Sequence, residues 1–121
     1  MNRQRWSAVG AVLVGVAVAV GANTPAQERA VLHSHGVLHP WFHLILFGGM
    51  SWLAVRSARS EIVQAVLLVA LVLFGGVTEF VEYWYHAAPL EYGDIMLDAL
   101  GAMTGTVLAR VVQRRSEMRL E

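Results

Sequence analysis

Four apolar runs, parted by short segments of turn-forming residues, occupy most of this 121-residue chain and leave it few ways to fold. A bilayer core about 30 Å thick is crossed by roughly 20 mostly apolar residues in a helix. The first run, 6–22, is Ala, Val, Leu and Gly apart from Trp6 and Ser7, and it stops at Asn23, Thr24 and Pro25. The second, 40–55, opens with Pro40, which suits a first helical position because the missing amide hydrogen would have no partner there. The third, 62–85, is a long Val/Leu stretch closing in Tyr83, Trp84 and Tyr85, rings that favour the membrane interface. The fourth, 94–112, follows Pro89 and Gly93 and carries Gly101 and Gly105, the small-xxx-small spacing that lets helices approach closely. With 56% hydrophobic and 15% charged residues, too little polar surface remains to wrap these helices as the core of a soluble domain. The expectation is all-α: a polytopic integral membrane bundle of four transmembrane helices forming one domain over residues 1–121.

Charge sets the orientation. The chain has no lysine and nine arginines against nine acids, so it lacks the basic excess that nucleic-acid binding needs. Arg3 and Arg5 precede the first run, Arg56 and Arg59 follow the second, and Arg110, Arg114, Arg115 and Arg119 end or follow the fourth. The positive-inside rule puts these on the cytoplasmic side of the plasma membrane, with both termini inside and Arg29 the one exception. A rival reading takes residues 1–26 as a signal peptide cleaved after Ala26. The long connection before His39 offers residues 26–38 as a short interfacial helix. The absence of cysteine removes disulfides, thiolate metal sites and cysteine nucleophiles.

In that orientation the ionisable residues of the spans gather at the extracytoplasmic end. His39 and His43 begin the second run, Glu79, Glu82 and His86 end the third, and Asp94 and Asp98 begin the fourth. Spacings of three or four place each set on one helix face. A carboxylate in hydrocarbon costs about 2.5–3.5 kcal/mol on insertion scales, so these acids are expected to face one another and not lipid. Their repulsion calls for a protonated histidine, a bound cation, a basic ligand group or protonation of the acids themselves. Asp94 also suits a helix N-cap, and His33, His35 and His39 read as wet loop residues. Histidine nitrogens and carboxylate oxygens are ligands for a divalent metal. The possible set is His39, His43, Glu79, Glu82 and Asp98, although neither a His-Glu-x-x-His nor a Glu-x-x-His motif is present. No serine sits in a nucleophile-elbow context.

The order of these elements resembles the VanZ-like membrane protein family. That family's second span begins near Asp-Lys-x-x-His-Phe, its third ends in Thr-Glu-x-x-Gln, and its fourth opens Asp-x-x-x-Asn-x-x-Gly-x-x-x-Gly. Here the corresponding stretches are His39-Pro40-Trp41-Phe42-His43-Leu44, Thr78-Glu79-Phe80-Val81-Glu82 and Asp94-Ile95-Met96-Leu97-Asp98-Ala99-Leu100-Gly101-Ala102-Met103-Thr104-Gly105. By the resemblance His43, Glu79, Asp94, Gly101 and Gly105 take the motif positions. His39, Glu82 and Asp98 stand where the family has Asp, Gln and Asn, and the Arg it often shows between spans three and four has no counterpart in residues 86–93. The resemblance implies a plasma-membrane protein concerned with the cell envelope and with tolerance of glycopeptide antibiotics.

The functional expectation is an extracytoplasmic pocket of His43, Glu79, Glu82, Asp94 and Asp98 that binds or modifies an outer-leaflet component, an envelope lipid or glycopeptide-related ligand. Two alternatives stand beside it. One is a membrane metalloenzyme acting on a lipid or lipid-linked substrate; the other is an assembly protein whose Gly101 and Gly105 face holds a homo-oligomer together. Proton or cation permeation fits less well, because Gln64, Thr104 and Thr106 are poor stepping stones through the cytoplasmic half.

Overall fold

In the computed structural model, which describes residues 3–22, 39–87 and 89–119, the chain forms four α-helices and, among those residues, no strand. They are α1 (Arg3–Ala22), α2 (His39–Ser57), α3 (Glu61–His86) and α4 (Tyr92–Met118). The cleavage alternative at Ala26, the helix expected over 26–38, and Arg29, His33 and His35 lie outside the described residues.

Two rows of side chains set the architecture. On α2 the row His39, His43, Phe47, Ser51, Val55 recurs every four residues, and on α4 so does Asp94, Asp98, Ala102, Thr106, Arg110. Such i±4n ridges are what two helices pack against each other. Side-chain pairs across the contact include His39 with Asp94, His43 with Asp98 and Ser51 with Thr106, each 55 residues apart. A constant offset means that α2 and α4 run parallel at the same rise, and theirs is the most extensive helix contact. At its middle, a Cβ on Gly101 would lie 2.6 Å from the Leu44 carbonyl oxygen, and one on Gly105 would run into the Gly48 carbonyl. Only glycine admits that approach of backbone to backbone.

The remaining helices run the other way. Along α1 and α2, Gly10 meets Leu53 and Gly15 meets Met50. Along α3 and α4, Glu61 pairs with Arg114 and Gln64 with Gln113, while Gly75 lies against Asp98. As one number rises the other falls, the mark of antiparallel helices. Thus α1 and α3 point one way and α2 and α4 the other.

Burial is inverted relative to a water-soluble domain. Among the described residues the buried polar or charged side chains, Ser7, Ser51, Gln64, Glu79, Asp94, Asp98 and Thr106, match the buried hydrophobic ones in number. Large apolar side chains lie outside: Ile45 is 67% exposed, Ile62 77% and Met96 72%. Such a surface has no favourable partner in water.

By length and apolar composition, α3 over Glu61–Tyr85 and α4 are each sufficient to cross a membrane. The apolar stretch described in α1, Arg5–Ala17, is shorter, and α2 carries His39 and His43 in its first turns and Arg56 in its last. The helices therefore bear out the all-α expectation, whereas two of them, and not four, meet the requirement for a span on their own composition.

The helix limits correct one local reading. Asp94 is not an N-cap: α4 starts at Tyr92, with Glu91 at the cap position and no side-chain cap bond, so Asp94 lies in the first turn. At the other end of the loop, α3 stops at Ala87, whose φ of 50° is left-handed, a conformation that only glycine adopts without strain.

Candidate functional site: a histidine–aspartate cluster

The first two turns of α2 and of α4 present their rows side by side, and this brings together four of the residues singled out in the sequence. His39 Nε2–H donates to Asp94 Oδ2 at 2.8 Å, and His43 Nδ1–H donates to Asp98 Oδ1 at 2.7 Å. The two pairs are cross-linked, since His43 Nε2 lies 3.5 Å from Asp94 Oδ2 and the imidazole rings meet edge to face with centroids 4.7 Å apart. Glu91, just before α4, comes within 4.0 Å of His39 Nε2. His39 is therefore not a wet loop residue. It is the first residue of α2, and its side chain is about three-quarters covered, at 24% exposure.

The two pairs differ in depth. The Asp94 side chain is 10% exposed and that of Asp98 only 1%. Asp98 fits because it faces Gly75 of α3, where a Cβ would lie 2.7 Å from Asp98 Oδ2. That Oδ2 is buried with no hydrogen-bond partner. A buried polar atom left unpaired costs about 1–3 kcal/mol, more for a charged group, and calls for an explanation of its own.

From α3, Glu79 is buried and lies within electrostatic range of Glu82, Asp94, His43 and Asp98. Glu82, one turn on, is half-buried. His86 ends the helix, and its side chain is outside the described residues. The arginines of the described residues lie at the opposite end, where α1 begins and α2 and α4 finish. The acids thus face two imidazoles and no described guanidinium.

One ligand atom from each of His39, His43 and Asp94 lies within 4.8 Å of the others, so these three side chains could hold a metal ion. Asp94 enters this group in place of Glu79, Glu82 and Asp98 from the set expected on sequence. Asp98 stands behind, bound to the far nitrogen of His43.

Sequence reasoning missed Gly75, whose absent side chain makes room for Asp98, Gly48, on whose backbone Gly101 and Gly105 pack, and the pairing of His39 with Asp94. The signals were present, as Gly-Gly at 48–49 and 75–76 within apolar runs and as two four-residue rows of matching polarity. Gly101 and Gly105 pack against α2 of the same chain, which occupies the face expected to join copies. A cleft of about 550 Å³ lined by Trp6, Ser7, Trp52, Leu53 and Arg56 lies at the arginine end, away from this chemistry.

Compared with models of known families, with curated proteins and with solved structures, the chain matches none.

Proposed function

We propose that the chain is a four-span plasma-membrane protein, both termini cytoplasmic, whose extracytoplasmic His43/Glu79/Asp94/Asp98 pocket binds or modifies an outer-leaflet component of the cell envelope. The VanZ-like pattern of His43, Glu79, Asp94, Gly101 and Gly105 supports this reading, and so does the inverted burial. The observation that carries it is the segregation of charge. Imidazoles and carboxylates cluster at one end of the α2–α4 pair, while Arg56, Arg110 and Arg114 stand at the other. Arginine marks the cytoplasmic side, and buried acids within a bundle mark the functional one.

Within that reading the pocket takes a ligand rich in donors or positive charge, because it holds more carboxylates than imidazoles and an oxygen of Asp98 without a partner. An envelope lipid or lipid-linked precursor bearing amine or hydroxyl groups fits.

The absence of native cysteine makes the topology directly measurable. Single cysteines at Ser34, Ser57 and Ser116 are labelled in intact cells with a membrane-impermeant maleimide. Labelling is expected at Ser34→Cys alone; labelling at Ser116→Cys overturns the orientation. In a deletion strain tested for envelope-stress and glycopeptide susceptibility, complementation is expected from the wild type and not from His43→Gln or Asp98→Asn. Full complementation by both variants removes the pocket from the function.

A further inference from the structure

We infer that His39, His43 and Asp94 form a three-ligand site for a divalent transition-metal ion, with Asp98 as the positioning residue that aims His43 at it. The inference stands on ligand geometry and does not depend on the envelope reading.

Three observations converge. First, His39 Nε2 and His43 Nε2 both point at the same oxygen, Asp94 Oδ2, at 2.8 and 3.5 Å. Around a metal with bonds of about 2.0–2.1 Å in tetrahedral geometry, ligand atoms are separated by about 3.3 Å. The observed separations bracket that figure and the whole group falls within 4.8 Å, so small side-chain rotations close the site. Second, His43 directs Nε2 inward because its Nδ1–H is held at 2.7 Å by Asp98. A carboxylate on the far nitrogen is how metal-bound histidines are fixed in tautomer and orientation. Third, the Asp98 oxygen without a partner lies in a cluster that also contains buried Glu79 and Asp94. A divalent cation one imidazole away supplies the positive charge that this end of the bundle lacks among the described residues.

The donor set selects the ion. Two imidazoles and one carboxylate suit Zn²⁺ or Fe²⁺, whereas Mg²⁺ and Ca²⁺ prefer all-oxygen sites and Cu⁺ prefers sulfur. Three protein ligands leave a coordination position for water or a ligand group, the arrangement of reactive rather than structural sites. The ligands come from two helices, Asp94 standing 55 residues after His39, which is why no compact metal motif announces them.

The test uses the full chain purified in mild detergent, stripped with chelator and titrated with Zn²⁺ and with Co²⁺. One equivalent of either ion is expected to bind the wild type, Co²⁺ with visible ligand-field absorption. His39→Gln and Asp94→Asn are expected to abolish saturable binding, while Asp98→Asn keeps the stoichiometry and loses about 10- to 100-fold in affinity. Thr104→Ala, on an exposed face of α4, is expected to bind as wild type. Circular dichroism and elution volume show whether each variant is folded. Should a variant not fold, the wild type alone decides: Zn²⁺ must protect His39 and His43 from acylation by diethyl pyrocarbonate, as read by peptide mass spectrometry. Substoichiometric binding, equal affinity in the folded ligand variants, or no protection overturns the site. A metal-free wild type that still complements the deletion strain sinks the metal site and leaves the envelope reading standing; a metal-binding protein without that phenotype does the reverse.

Discussion

The two ends of the α2–α4 pair are both polar, and they are built on opposite principles. At the arginine end, the groups are amides and a guanidinium whose partners are complementary. Gln64 Nε2 donates to the Ala58 carbonyl and to Gln113 Oε1, its Oε1 accepts from Arg110 Nε, and Gln113 Nε2 reaches the Val55 carbonyl. Ser57 closes on the Ala54 carbonyl. The Ala54 and Val55 carbonyls lie in the last turn of α2, where intrahelical donors run out, and Ala58 follows directly, so the network works as a side-chain cap that ties three helices together. At the histidine end the groups are ionisable, the acids outnumber the imidazoles, and a buried oxygen has no partner. One end satisfies its polar atoms, and the other leaves Asp98 Oδ2 without a partner among the described residues.

If that contrast is right, perturbing the two ends should give different signatures. The largest effect is expected from Asp98→Ala, which removes the buried partner of half-buried His43. Breaking one side of a buried pair costs about 3–5 kcal/mol, and the complementation phenotype should vanish with it. Asp98→Asn separates the roles: it should retain most of the thermal stability in detergent and still lose the phenotype. Stability and phenotype falling in proportion across both variants would make the histidine end a structural tie like the other.

Next comes Gly105→Ala, at the close contact that keeps both ends in register. Its Cβ would press into the Gly48 backbone, and overpacking of this kind costs about 1–3 kcal/mol. The expected outcome is a lowered unfolding temperature with the elution volume unchanged. Loss of an oligomer at unchanged stability would move this glycine face from the inside of the chain to an interface.

Gln64→Ala should cost about 1–2 kcal/mol, because it leaves the Ala58 carbonyl without its Gln64 donor and Arg110 without an acceptor. Its phenotype should stay wild type; a phenotype as severe as that of Asp98→Asn would erase the distinction between the ends. The smallest effect is expected at the midpoint. Ser51 Oγ donates to the Ala102 carbonyl at 2.7 Å and lies 2.6 Å from Thr106 Oγ1, so Thr106 provides the proton of that second contact. Ser51→Ala removes two interhelical bonds, each worth about 0.6 kcal/mol in membrane helices, a shift of a few degrees at most on a thermal unfolding curve.

The helices were legible in advance because apolar runs and breakers report backbone state locally. The runs 62–85 and 94–112 fall inside α3 and α4, and the four-residue rows of α2 and α4 reveal their faces. Boundaries were less so: α4 begins before Asp94, and α3 ends on left-handed Ala87, which no local residue preference announces. His39 was misread because a histidine at a helix start looks wet until its partner, 55 residues away, is known.

Composition and spacing by themselves determined an all-α chain with acids and histidines at one end and arginines at the other, since periodicity and charge order are properties of the chain read in line. Which imidazole meets which carboxylate was decided only by the tertiary structure. Gly75, Gly101 and Gly105 let the helices approach until four-residue rows interlock, and register between distant segments is a matter of shape that no single segment carries.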